Sequence, residues 1–172
     1  MSTQNHEKII LHPGDFCFTE NPVHIHTLLG SCISITLWHP VSHIGGMCHF
    51  TLPKYMGKRL PNTKLDGRYA EDVIQMFKQE VAKRHTDITE YEAKIFGGGN
   101  MMRDSGENID DTVGTRNAAA AMQLLMAEGV NILVAAVGEF GHRRLVFDVE
   151  KGEVWVRHIQ KEADTNIKNS VA

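Results

Sequence analysis

The chain has 172 residues, with 18 Lys and Arg against 21 Asp and Glu and a formal net charge of −3. That length suits one domain with a buried core, and a hydrophobic content of 42% with 23% charged residues excludes a disordered, collagen-like or coiled-coil chain. The mildly acidic balance, with no run of Lys and Arg, argues against nucleic acid or an anionic membrane as the main partner. No stretch approaches the roughly 18 apolar residues of a membrane span, and the opening MSTQNHEK is polar, so a cytoplasmic protein without membrane insertion is expected. Three cysteines, Cys17, Cys32 and Cys48, fit a reducing compartment better than a disulfide framework.

In chain order, Ile9 to Leu11 and Phe16 to Phe18 read as strands flanking a Pro13-Gly14 turn, and His24 to Leu29 alternates weakly until Gly30 breaks it. Ser31 to Trp38 and Ile44 to Phe50 read as a hairpin around His39-Pro40-Val41-Ser42. Between Leu65 and Arg84, Tyr69, Val73, Met76, Phe77 and Val81 recur at the spacing of an amphipathic helix. Tyr91 to Phe96 reads as a strand running into Gly97-Gly98-Gly99, followed by a helix over about Asn117–Glu128 that closes at Gly129. Ile132–Val137, Leu145–Val149 and Val154–Ile159 are further strands, the last two joined as a hairpin, and residues 161–172 read as a frayed polar tail. These elements predict one α+β domain spanning 1–172, with a mixed or antiparallel sheet, two main helices and a core over about 13–159.

Register decides what the hairpin can do. Ile33, Ile35 and Leu37 alternate with Ser34, Thr36 and Trp38, so one face is apolar. Pairing Leu37 with Ile44, Ile35 with Gly46 and Ile33 with Cys48 gives a consistent apolar layer and sets Cys32 opposite His49. Directly opposed residues have Cβ atoms about 4.5–5.5 Å apart, close enough for a thiol and an imidazole to meet. Such a pair can carry out nucleophilic acyl transfer: the histidine is expected to hold the cysteine as thiolate, the thiolate attacks a carbonyl and the imidazolium donates the proton that lets an amine leave. Gly30-Ser31 suits a tight turn whose N–H groups face an oxyanion, and Thr27 is near enough in sequence to orient the histidine. Cys17, between two phenylalanines, and Cys48, on the apolar layer, are assigned to the core.

Leu29-Gly30-Ser31-Cys32, Gly45-Gly46-Met47 with His49 and Leu52-Pro53, the run Lys94 to Met101, Gly114-Thr115-Arg116-Asn117 and Gly141-His142-Arg143-Arg144 together resemble the CheD family of chemoreceptor glutamine deamidases. The resemblance implies a three-layer α/β/β sandwich and a protein-glutamine glutaminase that needs no cofactor or metal. By the same resemblance Cys32 matches the nucleophile, His49 the general base and Thr27 the third member, with Ser31 and Thr51 as the other candidate hydroxyls. It further implies methyl-accepting chemoreceptor cytoplasmic domains as substrate, a CheC-type phosphatase as partner, and glutamyl methyl ester hydrolysis by the same chemistry.

Two other readings compete. The histidines His24, His26 and His49 with Cys32 or Cys48 could bind zinc for a metal-dependent hydrolase, although no C-x-x-C or H-E-x-x-H pair is present and His24 and His26 read as exposed. A non-catalytic chemotaxis adaptor would use Arg143-Arg144 or Met101-Met102 as a binding surface. The triple glycine lacks the spacing of a phosphate loop, and close backbone approach beside the active site is its expected role.

Overall fold

The computed structural model describes residues 5–101, 112–159 and 168–172. Its strands are β1 (Glu7–Ile10), β2 (Phe16–Thr19), β3 (Val23–Leu29), β4 (Ile33–His39), β5 (Ile44–Cys48), β6 (Glu92–Gly97), β7 (Asn131–Val137), β8 (His142–Asp148), β9 (Glu153–Ile159) and β10 (Lys168–Val171), with helices α1 (Ala70–Lys83) and α2 (Val113–Ala127). They form two five-stranded sheets, ordered β1-β3-β8-β9-β10 (the outer sheet) and β2-β5-β4-β6-β7 (the central sheet). Each is mixed: β1 runs parallel to β3 and β6 parallel to β7, with α2 as the crossover of the second pair, and the other pairings are antiparallel.

The alternation in β4 decides the layering. Ile33, Ile35 and Leu37 join Cys48, Ile95 and the helix residues Val73, Phe77, Val81, Ala121 and Leu125 in one core between the helices and the central sheet. The opposite face of the central sheet contributes Met47, Phe96 and Trp38 to a second core with Ile25, Leu29, Leu145, Phe147 and Val154 of the outer sheet. Each fully buried side chain of this size contributes roughly 1.5–3 kcal/mol, so the two cores hold three layers together: helices, central sheet, outer sheet. The expected α/β/β sandwich is therefore the observed architecture.

The strands flanking the Pro13-Gly14 turn go to different sheets, β1 joining β3 in the outer sheet and β2 joining β5 in the central one. Three local expectations are corrected. Helix α2 starts earlier than Asn117, capped by Thr112, whose Oγ1 accepts from the Thr115 N–H at 3.2 Å. The chain end is not frayed throughout: β10 pairs with β9, and Ala172 exchanges backbone bonds with Val154 at 2.7 and 2.8 Å. The hairpin register also differs from expectation by two residues, with Leu37 opposite Gly46 and His39 opposite Ile44. The cause is His39, which was expected in the turn. Its imidazole packs edge-on to Tyr91 at 5.0 Å and its Nδ1 accepts from the Val41 and Ser42 N–H groups, so it closes the strand and caps the turn. His43 then takes the left-handed position at φ 54°.

Candidate active site

A two-residue slip leaves every side chain on its expected face but changes its neighbours. With Ile33 bridged to Phe50, the position opposite His49 is Ser34, and Cys32 lies diagonal to His49 instead of facing it. Diagonal neighbours are separated by roughly 7–8 Å at Cα, still within reach of side chains that lean together. Both residues belong to the layer between the sheets: Cys32 packs on the second core, and His49 is hydrogen-bonded to the outer sheet. Among the described residues no hydrogen bond joins the Cys32 thiol to His49.

His49 lies just beyond β5, and its backbone is locked to the preceding turn by His49 N–H to Asp15 O at 3.2 Å and Gly14 N–H to His49 O at 2.8 Å. Its Nδ1 lies 2.7 Å from Thr27 Oγ1, on the inward face of β3. The Thr27 hydroxyl donates its single proton to Leu11 O at 2.9 Å. Thr27 must therefore accept from His49 Nδ1–H, which leaves Nε2 as the ring nitrogen with a free lone pair. Of the three candidate hydroxyls, Thr27 is the one that reaches the imidazole; the Thr51 hydroxyl donates to Arg68 O instead.

The electrostatics favour a neutral pair. Burial pulls the His49 imidazole down to about 4, opposed by Asp15 and reinforced by His12. Burial also pushes the Cys32 thiol above its ordinary value. A resting thiolate–imidazolium pair is thus disfavoured, and His49 is suited to accept the thiol proton as attack proceeds. Cys48 is of a different kind: fully buried under the helices, its sulfur accepts from the Ile35 N–H at 3.3 Å and its thiol is pushed up to about 12.

The loop that carries Cys32 is gripped from two sides. Gly98 N–H donates to Cys32 O and Gly99 N–H to Gly30 O, each at 2.9 Å. Gly97 has φ +112°, and a Cβ there would sit 2.2 Å from Cys32 O, so the triple glycine serves the close approach expected of it. From the helix layer Asn117, fully buried, donates through Nδ2 to Ser31 O at 3.1 Å and to Thr51 O at 2.8 Å. One side chain thereby ties the segment carrying Cys32 to the segment that follows His49. Sequence reading had matched Asn117 within a motif but assigned it no role, since nothing local reveals the distant carbonyls it meets.

Arg143 is not a surface residue; it is buried and donates to Gly97 O and Gly138 O, while Arg144 is exposed. Met101 is exposed, and Met102 lies outside the described residues. His24 and His26 are half-buried rather than exposed, with His24 stacked on His6 at 4.4 Å. Among the described residues no group of three or more His, Cys, Asp or Glu side chains is placed to hold a metal ion. A cleft of ≈ 470 Å³ opens on the outer sheet, with Thr27 and His49 in its lining. Cys32 is not part of that lining, so the open groove expected around Cys32 opens at Thr27 and His49 instead.

A layered α/β/β domain in which a half-buried cysteine and a threonine-anchored imidazole share the layer between the sheets defines a candidate cysteine hydrolase. Comparison with known proteins gives the family. The model of CheD, described as chemotactic sensory transduction, matches residues 51–158. A protein of Dechloromonas aromatica named probable chemoreceptor glutamine deamidase CheD 3 is 47% identical over 164 residues, covering 95% of this chain and 94% of its own. A probable chemoreceptor glutamine deamidase CheD of Pseudomonas syringae pv. tomato is 38% identical over 152 residues, covering 88% of this chain and 89% of its own. The chain belongs to the CheD family. The matched span of the family model begins beyond His49 and so does not include Thr27, Cys32 or His49.

Proposed function

We propose that the protein is a protein-glutamine glutaminase that hydrolyses glutamine side-chain amides on methyl-accepting chemoreceptors to glutamate. The observation that supports the mechanism is the Leu11–Thr27–His49 relay, which orients the imidazole in one tautomer in the layer on which Cys32 packs. The names of the relatives support the substrate. Cys32 Sγ attacks the amide carbon as His49 Nε2 takes the thiol proton. The tetrahedral intermediate collapses to a thioester, and ammonia leaves with the proton His49 returns. Water, deprotonated by His49, then attacks the thioester; glutamate is released and the thiol regains its proton. The sum is one water consumed and one ammonia released, with no cofactor. A glutamyl methyl ester enters the same sequence with methanol as leaving group.

A cytoplasmic location belongs to this reading, because receptor signalling domains lie in that compartment. Among the described residues no helix is long and apolar enough to cross a membrane. A CheC-type phosphatase is the further partner that family membership suggests. Incubation with receptor cytoplasmic fragments followed by mass spectrometry tests the reading. Conversion of an amide to an acid adds about one dalton at specific glutamines, and Cys32→Ala should not produce it. Stable receptor binding without any mass change would instead support an adaptor, and activity lost on chelation and restored by zinc would support a metal-dependent hydrolase.

A further inference from the structure

The inward face of the outer sheet is spent on the second core, and both helices pack on the central sheet, so among the described residues no helix covers the opposite face of β1, β3, β8 and β9. Two rows of side chains cross this face in register. One runs Ile10, His26, Val146, Trp155; the next runs Leu28, Arg144, Arg157. Ile10 and Leu28 are 54% and 49% exposed. Arg144 and Arg157 are directly opposed cations, both exposed, and among the described residues neither makes an ion pair. Like charges directly opposite each other destabilise a sheet, so the fold itself gains nothing from this pair.

The cleft on this face adds Lys8, and none of its lining side chains is a carboxylate although the chain as a whole is acidic. The local field is felt at His26, whose imidazole is held below its ordinary value by burial and then by Lys8, His24 and Arg144. Three adjacent strands set at about 4.8 Å span about 10 Å, the width of an α-helix with its side chains. The cleft also reaches Thr27 and His49, so an occupant lies against the catalytic relay.

We infer that this face docks an acidic, amphipathic helix of the receptor substrate, its apolar side chains on Ile10 and Leu28 and its carboxylates on Arg144, Arg157 and Lys8. The inference rests on the proposed function and names the surface by which that substrate is held. Its test compares wild type with Arg144→Glu and with Arg144→Glu/Arg157→Glu. The single variant replaces a like-charge pair with an opposite-charge pair, so its thermal stability should hold or rise, and any loss of docking is then not a loss of fold. KM for a receptor cytoplasmic fragment should rise about tenfold in the single variant and further in the double, with kcat within about twofold of wild type. In the Cys32→Ala background the Kd for the fragment should weaken in parallel, and added salt should weaken wild type more than the double variant. Unchanged KM and Kd in an otherwise active enzyme would overturn the docking surface and leave the deamidase reading intact. A wild-type protein that neither converts nor binds any receptor fragment would overturn both.

Discussion

The two faces of the β4–β5 hairpin carry one cysteine each and treat it in opposite ways. Toward the helices, Cys48 sits among Ile33, Ile35, Phe50 and Phe77, takes a backbone N–H, and titrates near 12. Toward the outer sheet, Cys32 is half-buried in a layer that also buries Thr27, Ser34, Thr36 and His49. Among the described residues the Ser34 hydroxyl is buried there without a hydrogen-bond partner, a cost of roughly 1–3 kcal/mol that an apolar layer would avoid. The layer distinguishes the two cysteines, not the residue type: one face is packed with apolar side chains, while the other buries hydroxyls and an imidazole in the layer on which Cys32 packs.

Removing the base from the reactive layer should have the largest effect. His49→Ala is expected to lower kcat on receptor fragments at least about a thousandfold, because nucleophile and base act as a unit. Differential scanning at neutral pH should show the fold retained. Next comes the relay: Thr27→Val leaves the His49 Nδ1–H and the Leu11 carbonyl unpaired, and should cost about ten- to a hundredfold in kcat. Thr27→Ser, which keeps the hydroxyl, should recover most of it. Equal activity in both variants would remove Thr27 from the mechanism.

Asn117→Ala removes two buried hydrogen bonds and should cost about 2–3 kcal/mol of stability by urea unfolding. Because it loosens the Cys32 segment, alkylation of Cys32 by iodoacetamide should also change in rate, while Cys48 stays unreactive in the folded protein. Acid destabilisation comes last, because it is absent at neutral pH. His49 titrates near 4 when folded and at 6.5 when free, so below pH 6.5 the unfolded chain binds a proton that the folded chain refuses. Stability is unaffected by this group above that range and falls as pH drops from 6.5 toward 4, by up to on the order of 3 kcal/mol. His49→Gln should flatten that part of the pH profile.

Much of this contrast could be read in the sequence. The alternation of Ile33, Ile35 and Leu37 with Ser34 and Thr36 revealed which face is apolar, and the spacing of Tyr69, Val73, Phe77 and Val81 revealed the helix that covers it. The exact partner of Cys32 could not be read, because register depended on His39 meeting Tyr91, more than fifty residues away. For the same reason the separation of β1 and β2 into different sheets, the pairing of Lys168–Val171, and the reach of Asn117 to Ser31 and Thr51 were invisible. Local pattern sets which face a side chain occupies; tertiary packing sets whom it meets.

The most direct measurement follows receptor glutamine conversion by mass spectrometry for Cys32→Ala and Cys48→Ala side by side. The account predicts that the first variant converts nothing while folding normally. The second, after the loss of a buried sulfur, should convert the same glutamines whenever it is folded. Conversion by Cys32→Ala at the wild-type rate would contradict the account at its centre.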